Sequence, residues 1–318
     1  MPLITSNYNA KGLFKNGHYA TIYSAKLRPK IKLAFNRERL HLPDGDFLDL
    51  DWIPSLTPTK KLTIQLHGLE GNAQRIYMHG QAKYLIENGW DVLNVNYRGC
   101  SGEPNMHFYS YNAGKTEDLK TIVNTVIQKD RYDEIALIGF SLGGNLMLKY
   151  LGEGNTLPKQ LTKGIAISSP LSLKGSLEAL TRAENWVYRT TFLNHLRKKY
   201  RAKVKQFPNK ATMNDLRKMK SLLDFDNIYT APAHGFVDAY DYYEKNSCLQ
   251  FLPRTDRKIL ILNAKNDSFL SPRCYPFELA SNSKNIFLET PLHGGHVGFY
   301  YSNSLYFSEK RALDFLNE

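Results

Sequence analysis

One serine of this chain stands between glycines in Gly139-Phe140-Ser141-Leu142-Gly143, after an apolar run and before a segment with helical spacing. A G-x-S-x-G in that setting predicts a tight strand-to-helix turn that lifts the hydroxyl above a sheet edge. Glycine at the flanking positions lets the backbone pass where a side chain would collide. The same turn puts the Leu142 amide at a helix N-terminus, where it can hold a developing oxyanion. A hydroxyl is a weak nucleophile until a base takes its proton, and the base needs an acid to orient it. The chain order that goes with such a turn is Ser, then Asp or Glu, then His.

Asp267 fits the acid. It is the one carboxylate in the loop Ala264-Lys265-Asn266-Asp267, after an apolar run at Lys258–Asn263. Its competing reading is an Asx-turn or helix N-cap aspartate, since Ser268 to Pro272 looks like a helix start. Leu292-His293-Gly294-Gly295-His296-Val297 follows the last apolar run and offers two histidines. His296, behind two glycines, is the expected base; His293, nearer the strand end, is expected to support it. His67-Gly68-Leu69-Glu70-Gly71 supplies a second oxyanion donor, the Leu69 amide, with His67 fixing the loop. This loop lacks the Lys-Ser/Thr of a P-loop and the third glycine of a dinucleotide fingerprint, so a phosphate cradle is not expected. The 9 histidines are scattered without metal-ligand spacing. No metal and no cofactor are expected.

The elements that must position these residues follow from periodicity. Arg37–Leu42 and Phe47–Trp52 alternate around Pro43-Asp44-Gly45 and predict a hairpin. Leu62–Leu66, Asp91–Val95, Ile135–Phe140, Ile165–Ile167, Lys258–Asn263 and Ile286–Glu289 predict six more strands. Helical spacing covers roughly Ala73–Glu87, Glu117–Gln128, Leu142–Leu151 and Leu305–Phe315. Strands alternating with helices predict an α/β fold, a mostly parallel eight-stranded sheet with helices on both faces. Residues 37–170 and 257–318 form that core, residues 1–36 an N-terminal extension, and residues 171–256 a helical cap insertion. Trp186, Tyr188, Phe192 and Leu193 of the insertion either line the site or form the cap's own core.

Composition narrows the class. The 318 residues carry 42 Lys plus Arg against 30 Asp plus Glu, a net +12. Mean hydropathy is −0.43 and no apolar run approaches the ~18 residues of a spanning helix. Three cysteines without CxxC spacing and no signal-peptide pattern point to a reducing cytoplasm. Residues 171–220 hold 13 Lys plus Arg and 3 Asp plus Glu, so most of the charge belongs to the expected cap. Two readings are open: a solvated helix face, or peripheral contact with an anionic membrane. No nucleic-acid-binding module is recognisable.

Taken together, these stretches resemble the YheT-like branch of the α/β-hydrolase fold, the group that also includes the mammalian α/β-hydrolase-domain lipases. The likeness is carried by Phe14-Lys15-Asn16-Gly17-His18 with Thr21-Ile22-Tyr23, Leu42-Pro43-Asp44-Gly45-Asp46-Phe47, His67-Gly68-Leu69-Glu70-Gly71 and Asn96-Tyr97-Arg98-Gly99-Cys100-Ser101-Gly102. Gly139-Phe140-Ser141-Leu142-Gly143-Gly144-Asn145, Asp224-Phe225-Asp226, Tyr242-Tyr243 and Gly294-Gly295-His296-Val297-Gly298-Phe299 extend it to nearly the whole chain. The resemblance implies a serine esterase or lipase with Ser141 as nucleophile, Asp267 as orienting acid and His296 as base. The family's acid loop reads Asp-Asp-Pro-Phe; here it is Asn266-Asp267-Ser268-Phe269. The expected substrate is a small-molecule or lipid ester. The alternatives are a non-catalytic binding protein on the same fold, and thioesterase or amidase chemistry on the same triad.

Overall fold

Short apolar runs bounded by turn residues pair into a sheet when both faces can be covered. The computed structural model describes residues 3–318. Its strands are β1 (Leu3–Ile4), β2 (Asn36–His41), β3 (Phe47–Ile53), β4 (Lys61–Leu66), β5 (Asp91–Asn96), β6 (Glu134–Phe140), β7 (Leu161–Ile167), β8 (Lys258–Leu262) and β9 (Ile286–Glu289). They form one sheet in the order β1-β9-β8-β7-β6-β4-β5-β3-β2. β3 runs antiparallel to β2 and to β5, and the remaining pairs are parallel. All eight expected strands are present. The ninth is β1, where Leu3 pairs opposite Leu288 of β9. Two residues carry no readable alternation, so only the tertiary pairing reveals this strand.

Helices α1 (Gly17–Ile22), α2 (Ile76–Ile86), α3 (Thr116–Gln128) and α4 (Leu142–Gly152) precede the insertion. Within it lie α5 (Leu173–Thr181), α6 (Trp186–Gln206), α7 (Met213–Lys218), α8 (Leu222–Phe225), α9 (Ala231–Ala233) and α10 (Ala239–Asn246). Helices α11 (Phe277–Ser281) and α12 (Phe307–Asn317) complete the chain. Among the described residues no strand falls between Ile167 and Lys258. Helix α2 begins three residues later than its periodicity predicts. The Ala73 amide donates to Asn96 Oδ1 and its carbonyl accepts from Asn94 Nδ2, which holds Ala73 to the sheet. Helix α12 begins two residues late because Leu305 closes a turn with Ser302, and Glu309 caps the Tyr306 amide.

The period of two sorts the side chains of the central strands. Ile135 and Leu137 of β6 join the core beneath α3 and α4, with Leu119, Ile122, Val126 and Leu146. Ala136, Ile138 and Phe140 join the opposite core with Met78 and Leu85 of α2 and Phe315 of α12. The insertion has a small core of its own around Tyr200, Leu216, Met219, Phe225 and Tyr229.

Two residues of the basic run on α6 turn inward. Lys203 Nζ donates to Asn105 Oδ1 at 2.8 Å and to the His107 carbonyl at 2.5 Å. Burial lowers its pKa to about 8. Lys199 Nζ pairs with Glu70 at 2.9 Å, beside the loop after β4. Lys198, Arg201 and Lys205 remain exposed.

Candidate active site

Parallel neighbours deliver their following loops to the same end of the sheet, and ligand sites of open α/β sheets lie at that end. β4 and β6 are adjacent, with Leu66 opposite Gly139, so the loops that start at His67 and Ser141 emerge side by side. β8 and β9 are likewise adjacent, with Leu262 opposite Glu289, and they bring together the loops that carry Asp267 and His296.

Ser141 sits at φ 52°, ψ −121°, a left-handed geometry that costs a non-glycine residue energy. Close packing enforces it. A Cβ on Gly139 would lie 2.5 Å from the Gly143 carbonyl oxygen, and one on Gly143 would collide with the Leu66 carbonyl. His296 Nε2 lies 2.9 Å from Ser141 Oγ, and its Nδ1 lies 2.8 Å from Asp267 Oδ2. The Asp267 side chain is fully buried and that of His296 nearly so, at 0% and 11% exposure. Asp267 Oδ1 accepts from the Phe269 amide, and the Phe269 ring stacks on the imidazole at 4.2 Å. So the structure brings Ser141, Asp267 and His296 into one hydrogen-bonded line. His293 stands apart, half-buried, with a buried Nδ1 that has no partner among the described residues.

Leu69 and Leu142 flank Ser141 on the wall of one cleft. Among the described residues neither amide has a protein acceptor. Gly68 approaches closely enough that a Cβ there would lie 3.1 Å from Ser141 Cβ. His67 fixes this loop as expected. It is buried, its Nδ1 donates to the Gly68 carbonyl and its Nε2 accepts from the Tyr97 amide. Burial lowers its pKa to about 3, so it is neutral.

Sequence reasoning gave no role to the residues that brace the histidine loop. The Thr21 hydroxyl of α1 donates to the Gly17 carbonyl and accepts from the His296 amide at 2.8 Å. Asn266 Nδ2 donates to the Lys15 carbonyl while its Oδ1 accepts from the Gly295 amide. An ionised aspartate in its place could accept but not donate and would lose the bond to Lys15, which gives the departure from Asp-Asp-Pro-Phe a physical reason. Ser268, in place of proline, donates to Asn185 Oδ1 beside the start of α6. The N-terminal segment therefore supports the site.

The cleft encloses about 1070 Å³, part of it open to solvent. Its walls are mainly apolar: Leu177, Leu180, Phe192, Leu196, Leu222 and Phe225 from the insertion line it together with Ser141. Of the four candidate lining residues, Phe192 lines it. Leu193 packs on the insertion's own core, Tyr188 lies between His18 and Phe269, and Trp186 is 60% exposed. A hydroxyl, an imidazole and a buried carboxylate in line, beside two open amides, is an arrangement suited to acyl transfer.

Residues 64–302 match the alpha/beta hydrolase fold family. YheT of Escherichia coli (strain K12), a candidate esterase by name, is 32% identical over 311 residues, covering 95% of this chain and 91% of YheT. The chain is an α/β-hydrolase of the YheT-like branch. Phospholipase ABHD3 of Mus musculus is 28% identical over 310 residues, 94% of this chain and 74% of that protein. Monoacylglycerol lipase ABHD2 of Homo sapiens is 26% identical over 332 residues, 96% and 77% respectively. Among solved structures, the Pyrococcus furiosus esterase Pf2001 superposes with a TM-score of 0.61 at 16% identity. It covers 99% of this chain and 96% of that one, a likeness of fold. This α/β-hydrolase has no helix among its described residues long and apolar enough to cross a membrane.

Proposed function

We propose that this α/β-hydrolase cleaves carboxylic esters through an acyl-enzyme on Ser141. The observation that carries the reading is the Asp267–His296–Ser141 hydrogen-bonded line opening into an apolar cleft. His296 Nε2 takes the Ser141 proton as Oγ attacks the ester carbonyl. The Leu69 and Leu142 amides hold the oxyanion. Asp267 keeps Nδ1 protonated and stabilises the imidazolium. Collapse expels the alcohol, which receives the proton from His296. A water then deprotonated by His296 attacks the acyl-enzyme, and Ser141 leaves with that proton as the carboxylic acid departs. The names of the relatives, a phospholipase and a monoacylglycerol lipase among them, support oxygen esters over thioesters and amides. Purified protein is expected to turn over short p-nitrophenyl esters, with an acyl-chain series reporting the depth of the cleft. Absence of turnover across the whole series favours the binding-protein alternative.

The basic face of α6 supports a second part of the reading. Lys198, Arg201 and Lys205 are spaced to share one helix face, and all three are exposed. Each basic residue near an anionic surface adds about 1 kcal/mol of attraction. The protein is expected to co-sediment with anionic vesicles at low salt and to release as salt rises. Equal binding to neutral vesicles contradicts this part alone.

A further inference from the structure

Three acidic or basic side chains line the cleft in addition to the His296 imidazole: Glu70, Lys199 and Asp226. Glu70 and Lys199 pair at 2.9 Å. Asp226 has no cationic partner among the described residues, and no step of the proposed reaction uses it. It opens the π-helical turn Asp226–Thr230 between α8 and α9. Tyr243 of α10 donates a 2.5 Å hydrogen bond to its Oδ2. Tyr242, Tyr243, Phe225 and Tyr229 line the cleft with it.

The charge balance is the informative feature. The protein as a whole carries +12, yet the paired Glu70 and Lys199 leave this cleft with one uncompensated carboxyl. Burial raises the Asp226 pKa to about 6, against hydrogen bonds from Thr230 and Tyr243, and a cation beside it favours the carboxylate form. A carboxylate among apolar and aromatic groups without a counter-ion is costly to keep. An asparagine in its place would carry no charge to compensate. A cationic ligand repays that cost, and tyrosine faces attract the same ligand. An anionic group meets repulsion here.

We propose that Asp226, with Tyr242 and Tyr243, forms a subsite for an ammonium group, so that the preferred ester carries a positively charged nitrogen. The subsite rests on the ester-hydrolase reading of the same cleft, but its binding is measurable without turnover. Ser141→Ala protein is titrated calorimetrically with choline and with 3,3-dimethylbutan-1-ol, its uncharged isostere. Choline is expected to bind about tenfold more tightly, the scale of a desolvated cation over aromatic rings. In Ser141→Ala/Asp226→Asn protein the preference is expected to vanish, while thermal stability at pH 7.5 holds or rises because an unpaired buried charge is gone. Tyr243→Phe in the Ser141→Ala background is expected to weaken the preference, and it decides the matter if the asparagine variant does not fold. Equal affinity for the two probes overturns the subsite, as does a preference that survives Asp226→Asn. Choline binding without any ester turnover by wild-type protein instead keeps the subsite and overturns the hydrolase reading.

Discussion

Ser141→Ala is expected to lower kcat for p-nitrophenyl ester hydrolysis by about a millionfold, with the melting temperature unchanged. The magnitude is that of removing the nucleophile from a working triad, where serine and histidine act as one unit. The reason it is separable from folding is local. The left-handed turn at Ser141 is set by contacts of Gly139 and Gly143 with the Gly144 backbone and the Leu66 carbonyl, not by the hydroxyl. Alanine keeps the Cβ that faces Gly68 and removes one oxygen. His296→Ala is expected to cost a similar factor. The double variant is expected to be no slower than either single one, because each already removes the proton transfer. Additive losses, with the double variant far below both, would mean that the two side chains act independently, and the 2.9 Å contact between them would then carry no catalytic meaning.

The largest expected effect on stability belongs to Arg98. Its side chain is 2% exposed and meets three carboxylates. It bridges both oxygens of Asp118, at 2.7 and 2.6 Å, and reaches Asp46 at 3.1 Å and Asp44 at 2.8 Å. Asp46 also accepts from Asn105 and from the Met106 amide, and Asn105 in turn receives Lys203 of α6. One guanidinium thus joins the hairpin turn, the loop after β5, the start of α3 and, through Asn105, the insertion. Arg98→Met leaves Asp46 and Asp118 buried without a cation in contact, a change that costs roughly 3–5 kcal/mol. Urea unfolding at pH 7 is expected to show that loss as a lower midpoint.

The pH dependence of this variant has a definite sign. In the wild type, burial pushes Asp46 up, but Asn105, the Met106 and Phe47 amides and Arg98 bring it below the usual carboxylate range. A lowered folded pKa contributes stability that is present above the unfolded value and lost as pH falls through the folded one. Without Arg98 the folded pKa of Asp46 rises, and that of Asp118, which burial already holds above the usual carboxylate range against its bonds to Arg98, rises further. The penalty is then present at neutral pH and shrinks as acid protonates the buried carboxylates. A loss below about 1 kcal/mol at pH 7, the scale of an exposed pair, contradicts this account of the network.

What could be read from the chain divides along local and non-local lines. The turn at Ser141 was legible because strand, glycines and helix are contiguous. Asp267 and His296 were legible because strand order constrains which loops follow which strands. Thr21 was visible only within a family motif, without a role: its partner His296 is 275 residues away, and nothing in the spacing of an N-terminal threonine announces that contact. Asn266 looked like a departure from a pattern, and only the Lys15 carbonyl and the Gly295 amide show what its two polar atoms do. Composition located the basic run on α6 correctly but could not separate Lys199 and Lys203, which turn inward, from Lys198 and Arg201, which do not. Asp226 was visible only as part of a motif. Its place in the cleft depends on how α8, α9 and α10 pack.

The central claim is that Ser141 is an activated nucleophile. A fluorophosphonate probe reports this directly, since it forms a covalent phosphonyl adduct with an activated serine as fluoride leaves. Intact-mass and peptide analysis of the treated protein is expected to show one adduct, on the peptide that contains Ser141, and none in Ser141→Ala or His296→Ala protein. An unmodified wild-type protein, or an adduct on any other residue with Ser141 untouched, contradicts the account.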